Sequence, residues 1–175
     1  MDIAAIQAQQ ERLSREGEAP PAGSYVAHIS NNLKVADTRT GRQLIFSVQV
    51  SDLITGRATT PAEGYDYVSV FQKFIGSEEK PWGKTVNNEE EASRILLLAG
   101  LDAYAVKAVL DRAASVEIPE KSTFILNNTV LLTDEAGNNV SFKNSTPVML
   151  ELKASKDGTK TFGSIKKLPA YISAA

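Results

Sequence analysis

The sequence predicts a mainly β protein: a small closed or partly open antiparallel barrel with an α-helical insert and an N-terminal arm. About seven short segments alternate apolar and polar residues with a period of two, as half-buried antiparallel strands do. Turn sequences separate these segments, and the clearest is Asp157-Gly158. Two neighbouring segments with helical spacing interrupt the series, which is typical of a barrel with an insertion rather than of a parallel α/β sheet.

Composition narrows the class of protein. The chain has 175 residues, 42% of them apolar, and contains no cysteine and one histidine, His28. That length suits one ordinary domain, and the missing cysteines exclude disulfides, zinc ribbons and thiol chemistry. No apolar stretch is long enough to span a membrane, and the first residues lack the features of a secretory signal, so we expect a cytoplasmic protein.

The charge is distributed unevenly. The formal net charge is −2, yet residues 143–175 hold six lysines against two acids, which is 6 − 2 = +4. Residues 1–20 hold two arginines against four acids, which is 2 − 4 = −2. A basic C-terminal segment indicates either a patch for a polyanion or lysines that merely solvate the outer face of a hairpin.

Residues 1–22 are predicted to be an N-terminal arm, and residues 23–175 the barrel domain. Within the arm, residues 2–16 place Ile3, Ile6, Gln10 and Leu13 at helical spacing. Pro20-Pro21 ends this pattern, because consecutive prolines cannot continue a helix.

The first half of the barrel domain contains three predicted strands, Ser24–Ser30, Gln43–Ser51 and Tyr65–Ile75. The helical insert follows at about residues 88–115, where Asn88 precedes three glutamates as an N-cap and acidic first turn would. Gly100 marks the end of one helix, and Asp102 caps the next.

The last section returns to strands. Residues 123–133 and 139–143 are predicted to form one hairpin, and residues 147–155 and 159–167 a second.

We expect no enzyme, because no catalytic constellation is present. Gly83-Lys84-Thr85 lacks the glycine that a phosphate-binding loop needs five residues earlier, where Glu78 stands. His28 lies in a predicted strand without triad partners. No cofactor and no metal site are expected.

The strand Tyr65–Ile75 offers a candidate binding face. Alternation places Tyr65, Tyr67 and Phe71 on one side, and exposed rings in such a row can stack on the bases of a single strand while cations hold its phosphates. The alternative is that the helical insert covers this face, so that the rings form a second core layer. The candidate nucleic-acid-binding residues are Tyr65, Tyr67, Phe71, Lys73, Trp82, Lys84, Arg42, Arg57, Lys153, Lys160, Lys166 and Lys167.

The order of elements resembles that of phage-encoded single-stranded DNA-binding proteins of the OB-fold type. The resemblance covers residues 23–168 and rests on Gly23-Ser-Tyr-Val-Ala-His-Ile29, Leu44–Val50, Pro147-Val-Met-Leu-Glu-Leu-Lys153, Lys156-Asp-Gly158 and Ile165-Lys-Lys167. It implies an OB-like barrel, single-stranded DNA as the partner, and a protein located in the host cell cytoplasm. It also implies replication or recombination proteins as partners, although the sequence ends in Tyr171-Ile-Ser-Ala-Ala175 rather than in an acidic tail.

Three functions therefore stand in order of support. The first is a non-enzymatic single-stranded DNA-binding protein that serves phage replication, recombination or repair. The second is a virion or tail structural β-protein that self-assembles, with the barrel packed against copies of itself and the N-terminal arm bridging neighbours. The third is a small nucleic-acid-processing enzyme. Oligomeric state, including a homo-oligomer, stays open at this point, as does the choice between DNA and RNA.

Overall fold

A computed structural model describes residues 2–30, 33–38, 41–71, 77–79, 83, 85–118, 129–134, 136–138, 140, 146–158 and 161–172. Within these ranges only the backbone is described at residues 38, 66–71, 77–78, 85–87, 129 and 161–162. The chain divides into two compact units. The first comprises Met1–Ile29, Val48–Tyr67 and Thr146–Ala175, and the second comprises Ser30–Ser47 and Val68–Ser145.

The described elements run along the chain from one helix through seven strands and two consecutive helices to three further strands. The helices are α1 (Ile3–Arg15), α2 (Asn88–Leu98) and α3 (Ala103–Ser115). The strands are β1 (Gly23–Ile29), β2 (Lys34–Thr38), β3 (Gly41–Thr55), β4 (Ala58–Pro61), β5 (Asp66–Phe71), β6 (Ser77–Glu79), β7 (Thr85–Asn87), β8 (Thr129–Leu131), β9 (Val148–Ala154) and β10 (Thr161–Lys167).

The first unit is built on antiparallel strands in the order β10-β9-β1-β3, with the C-terminal half of β3 also paired to β4. Tyr25 of β1 lies between Leu150 of β9 and Leu53 of β3 in this register. One face is apolar and buried, because Tyr25, Leu150 and Ile165 are each almost fully covered. The opposite face of β9 and β10 is polar, as alternation requires for a half-buried sheet.

The second unit contains the hairpin of β2 and the N-terminal half of β3, and β2 also pairs with β8. Three consecutive residues of β3, Leu44, Ile45 and Phe46, are all buried. Both faces of this half-strand are therefore covered, whereas Gln49 in the other half of β3 is exposed between buried Val48 and Val50.

Helices α2 and α3 pack against each other in the second unit. Gly100, at φ 102°, ends α2, and Leu101 N donates to Leu96 O at 3.2 Å while Gly100 N donates to Leu97 O at 3.0 Å. These two bonds form a Schellman motif, which requires a residue in the left-handed region at this position. Asp102 then caps α3, because its carboxylate accepts from Ala105 N at 2.8 Å.

Arg42 joins the β2–β3 hairpin to the end of α3 within the second unit. Its guanidinium pairs with both carboxylate oxygens of Asp37, at 2.8 and 3.0 Å. Its Nη1 also donates to the carbonyl oxygens of Ala113, Ala114 and Val116, at 2.9, 3.1 and 2.7 Å. A cation at the C-terminal end of a helix satisfies carbonyls that lack intrahelical partners and matches the helix dipole.

The prediction of a mainly antiparallel β fold with a helical insert at about 88–115 is confirmed, and the bounds of α2 and α3 agree with it. The short strands β2, β4, β6 and β7 were not predicted. Val26 is 2% exposed between buried Tyr25 and Ala27, so strict alternation does not hold in β1, and the β1–β3 register is irregular at Val26/Ala27. Among the described helices, none has the length and apolar character needed to cross a membrane.

We predict that Leu96→Ala destabilises the protein strongly and that its neighbour Leu97→Ala does not. Leu96 is fully buried, so truncation removes its transfer free energy and leaves a cavity, at a cost of ~2–5 kcal/mol. Leu97 is 49% exposed on the same helix, and its truncation is expected to change the free energy of unfolding by less than ~0.5 kcal/mol. Urea denaturation of both variants measures the difference, and an equal loss of unfolding free energy in the two variants would contradict the burial of Leu96 and the exposure of Leu97.

We predict a structural role for Arg42 from a second matched pair. Arg42→Met removes the bidentate partner of Asp37 and the donor to three helix carbonyls, and we expect a loss of ~2–4 kcal/mol in unfolding free energy. The control is Arg94→Met, because Arg94 pairs with Glu91 at 3.2 Å on the surface of α2 and such pairs contribute ~0–1 kcal/mol. Thermal denaturation followed by circular dichroism compares them, and similar melting temperatures would contradict the role given to Arg42.

Candidate nucleic-acid interface

The polar face of β9 and β10 brings two candidate lysines together. Glu151 and Lys153 alternate with buried Leu150 and Leu152, so their side chains leave the sheet on the opposite face. Lys166 lies on that same face, because it pairs in register with Met149, two residues from Glu151. We call the cluster of Lys153, Glu151 and Lys166 the lysine face.

One carboxylate holds both lysines of this face. Lys153 Nζ lies 3.3 Å from Glu151 Oε1, and Lys166 Nζ lies 3.4 Å from each carboxylate oxygen. The lysine side chains remain 75% and 49% exposed. Because one negative charge meets two positive charges, the lysine face carries a net charge of 2 − 1 = +1, with several ammonium N–H groups directed to solvent.

The hydrogen bonds from Lys153 and then from Lys166 lower the pKa of Glu151, against a smaller opposing effect of desolvation. The carboxylate therefore stays ionised below the pH at which a free glutamate begins to protonate. The sign follows from linkage: a folded-state pKa below the unfolded value stabilises the fold above the unfolded pKa, and this is lost as the pH falls through the lowered value.

Further exposed lysines lie on the same hairpin. Lys167 follows Lys166 at the end of β10, and Lys156 lies in the turn between the strands, just before Gly158 at φ 72°. Both are exposed. Lys160, the remaining predicted contact of this hairpin, lies outside the described residues.

Arg57 lies against an aromatic ring that the sequence analysis did not select. Its Cζ atom is 5.2 Å from the centroid of the Tyr171 ring, within the range of a cation–π contact. Tyr171 is 57% exposed, and Arg57 is exposed in the turn between β3 and β4. The clue in the sequence was an aromatic residue shortly after the Lys166-Lys167 pair, but its partner Arg57 is more than a hundred residues away in the sequence.

Tyr65 is half-buried rather than freely exposed. Its carbonyl accepts from Val50 N at 3.2 Å, and Arg15 Cζ of α1 lies 5.7 Å from its ring centroid. Burial first, and the neighbouring Tyr65 second, raise the pKa of Tyr25, whose hydroxyl donates to Pro21 O at 2.7 Å. Tyr65 therefore belongs to a cluster between α1 and β1, and a base would have to displace Arg15 to cover that side of its ring.

The other candidates are only partly placed. Tyr67 and Phe71 lie in β5, whose side chains are not described, and Lys73, Trp82 and Lys84 lie outside the described residues. Arg42, predicted as a phosphate contact, has its guanidinium in contact with Asp37 and the end of α3, and we leave it out of the proposed interface. The described part of the chain brings together Lys153 with Lys166, and Arg57 with Tyr171.

Within the described ranges, no group of three or more acidic or histidine side chains is arranged to hold a metal ion. Comparison with protein-family models, with curated proteins and with solved structures found no match.

Proposed function

We propose that this chain is a non-enzymatic single-stranded DNA-binding protein, with an OB-like barrel, that serves phage DNA replication, recombination or repair. The proposal gives phosphate binding to the lysine face and to its neighbours Lys156 and Lys167. Base stacking is given to exposed aromatic rings, of which Tyr171 beside Arg57 is the best placed in the described structure.

The observation that carries the proposal is the lysine face itself. A chain with a net charge of −2 places four exposed lysines on one hairpin, where Glu151 is already shared between two ammonium groups. Glu151 fixes the direction of both lysines but neutralises only one charge. A polyanion that approaches this hairpin meets cations that are already oriented, and releases its own counterions.

The second part of the proposal concerns the bases. An exposed ring next to an arginine is the combination that binds single strands, because bases stack on aromatic and guanidinium planes alike. Tyr171 and Arg57 provide both groups, with the Arg57 Cζ atom 5.2 Å from the ring centroid. Arg57 covers one side of this ring as Arg15 covers one side of Tyr65, but Tyr171 is 57% exposed, so a base is expected to stack on the outer side of the Tyr171–Arg57 pair. Tyr65, Tyr67 and Phe71 remain part of the proposal as a second stacking row.

Lysine contacts imply a particular kind of binding. An ammonium group acts as a point charge and does not select a planar arrangement of acceptors, unlike the fork of an arginine. Phosphate contacts position a nucleic acid but carry no sequence information. We therefore infer binding with little sequence preference and a steep dependence on salt.

The lysine face is tested by charge substitutions in both directions. Lys153→Ala with Lys166→Ala is expected to weaken oligo-dT binding and to reduce the salt slope by about 0.7 for each phosphate that no longer has a cationic partner. Glu151→Gln removes the competing carboxylate, so it is expected to strengthen binding about 2- to 10-fold at low salt. Fluorescence anisotropy of labelled oligo-dT over a salt series measures both effects.

The matched control for these variants is Lys107→Ala. Lys107 is as exposed as Lys153 and is also ion-paired, at 3.1 Å to Asp111, but it lies on α3 in the second unit. It is expected to leave the affinity and the salt slope unchanged. If Glu151→Gln and the double lysine variant bind oligo-dT as the parent protein does, the lysine face is not the phosphate site. The same binding measurement with duplex DNA of equal length and with oligo-rU compares single strands with duplex and DNA with RNA.

The aromatic part is tested by Tyr171→Ala, which we expect to weaken oligo-dT binding by ~1–3 kcal/mol with little effect on stability. Tyr104→Ala is the control, because Tyr104 is 88% exposed on α3 and outside the proposed interface.

The second stacking row, Tyr65, Tyr67 and Phe71, is tested by Tyr67→Ala. If the Tyr67 ring stacks on bases, this variant is expected to bind oligo-dT more weakly while its melting temperature stays unchanged. A Tyr67→Ala protein that is destabilised yet binds normally would place that ring in the core.

A virion or tail structural protein is the rival function. The dependence on salt concentration distinguishes the two functions, because binding to a polyanion weakens steeply as salt is added whereas apolar packing between subunits does not. A chain that shows no affinity for oligo-dT at low salt, but forms large assemblies at high salt, would support the rival.

A further inference from the structure

Helix α1 turns its apolar residues to solvent. Ile3, Ile6 and Leu13 are 69%, 41% and 54% exposed, and no residue of this helix is buried. The helix is well formed at its start, where Ala5 N donates to the N-cap Asp2 at 2.8 Å. An amphipathic helix normally packs its apolar side on the core, so this orientation requires an explanation.

The opposite side of α1 is the one that contacts the first unit. Arg15 Nη1 donates to Glu63 O at 3.3 Å, and Arg12 Nη1 lies 3.9 Å from Glu63 Oε2. At Gly64 the backbone of the helix comes very close, since a Cβ there would lie 2.5 Å from Arg12 O. The polar side of α1 is therefore held against the segment 63–65, and the apolar side points away from it.

The exposed residues have the spacing of a helix-pairing seam. Ile3, Ile6, Gln10 and Leu13 follow one another by three, four and three residues, which is the a/d spacing of a heptad. We propose that α1 pairs antiparallel with α1 of a second copy of this chain. Ile3 of one copy then faces Leu13 of the other, and Ile6 faces Gln10.

Charge favours a second copy over other occupants. By helical geometry the seam is bordered within α1 by Gln7, Gln9 and Ser14, which carry no charge, while Arg12 and Arg15 lie on the far side. The acids Asp2 and Glu16 flank the seam at its two ends, outside the helix, so two identical seams can meet without like-charge repulsion along the helices themselves. Residues 1–20 have a net charge of −2, which disfavours nucleic acid and anionic lipid at this surface.

Orientation and strength follow from the same geometry. Antiparallel pairing brings opposite ends of the two helix dipoles together, whereas parallel pairing places like ends side by side. Two helices of 13 residues bury less than the ~1,200–2,000 Å² of a stable complex. We therefore expect a weak dimer with a dissociation constant of about 10 µM to 1 mM.

The first test is sedimentation velocity over a concentration series without nucleic acid, which makes the result independent of the proposed function. The parent protein is expected to show a monomer–dimer equilibrium. The variant with Ile3→Ser, Ile6→Ser and Leu13→Ser is expected to dimerise at least ~10-fold more weakly. Tyr104→Ser, which removes the most exposed aromatic residue of α3, is the control and is expected to leave the dimer unchanged.

Two outcomes overturn the proposal. One is a parent protein that stays monomeric at ~1 mM, and the other is a dimer whose strength is unchanged in the serine variant. Circular dichroism confirms that the serine variant is folded. A monomeric protein that binds phosphatidylcholine vesicles through Ile3, Ile6 and Leu13 would assign the seam to a lipid surface and would also overturn the proposal.

Cysteine cross-linking tests the orientation. The chain has no cysteine, so Ile3→Cys and Leu13→Cys each introduce a single thiol. When the two variants are mixed and oxidised, with one of them isotope-labelled, mass spectrometry is expected to show the mixed disulfide in at least ~5-fold excess over each homodimer. Homodimers of each variant without the mixed product would indicate parallel pairing and would refute the antiparallel arrangement.

Discussion

The hydrogen bonding of β3 is the constraint on which the described structure depends. This strand of 15 residues pairs with β1 and β4 through its C-terminal half and with β2 through its N-terminal half. Each compact unit therefore takes one part of its sheet from the same strand. The burial of β3 differs accordingly: Leu44, Ile45 and Phe46 are all covered, whereas Gln49 is exposed between two buried valines. A break in β3 would remove a strand from both units, because a sheet is stabilised by pairs across adjacent strands.

The sequence predicts the local parts of this fold well, because local signals determine them. A left-handed glycine at Gly100 ends α2 and the cap at Asp102 begins α3, and Asp157-Gly158 defines the hairpin that carries the lysine face. Strand β2 was not predicted because it has only five residues, too few to show a clear alternation of apolar and polar side chains. It forms because β3 and β8 pair with it on either side. The burial of Ile45 beside Leu44 and Phe46 could not be predicted either, because a period of two assigns residues to faces but does not state whether the second face is covered.

In the candidate site too, some features follow from the local sequence and others only from strand pairing. Lys153 and Lys166 were predicted as cations, but their common carboxylate emerges only from the β9–β10 register. Arg42 has the same charge in the sequence, yet it lies opposite Asp37 in the β2–β3 register and is covered by the end of α3. An acid lies beside the cation in both cases, and what separates them is burial: the Arg42 side chain is 17% exposed, whereas those of Lys153 and Lys166 are 75% and 49% exposed. Tyr171 was not selected from the sequence, because its contact with Arg57 joins segments more than a hundred residues apart.

Arginine and lysine side chains have different roles in the described structure, and this difference connects the fold with the proposed function. Arg15 and Arg42 hold one element against another, through fork-shaped contacts with carbonyl oxygens, a carboxylate and a ring. Lys153 and Lys166 reach outward from a sheet whose other face is the core. An arginine fork loses less freedom for each hydrogen bond that it forms, so it suits fixed internal contacts. A lysine keeps its charge in water and exchanges partners readily, and Glu151 stays ionised between the two because both lower its pKa. A phosphate can therefore replace the carboxylate at either lysine without disturbing the core beneath, which is the property that a protein needs if it is to bind and release a single strand repeatedly.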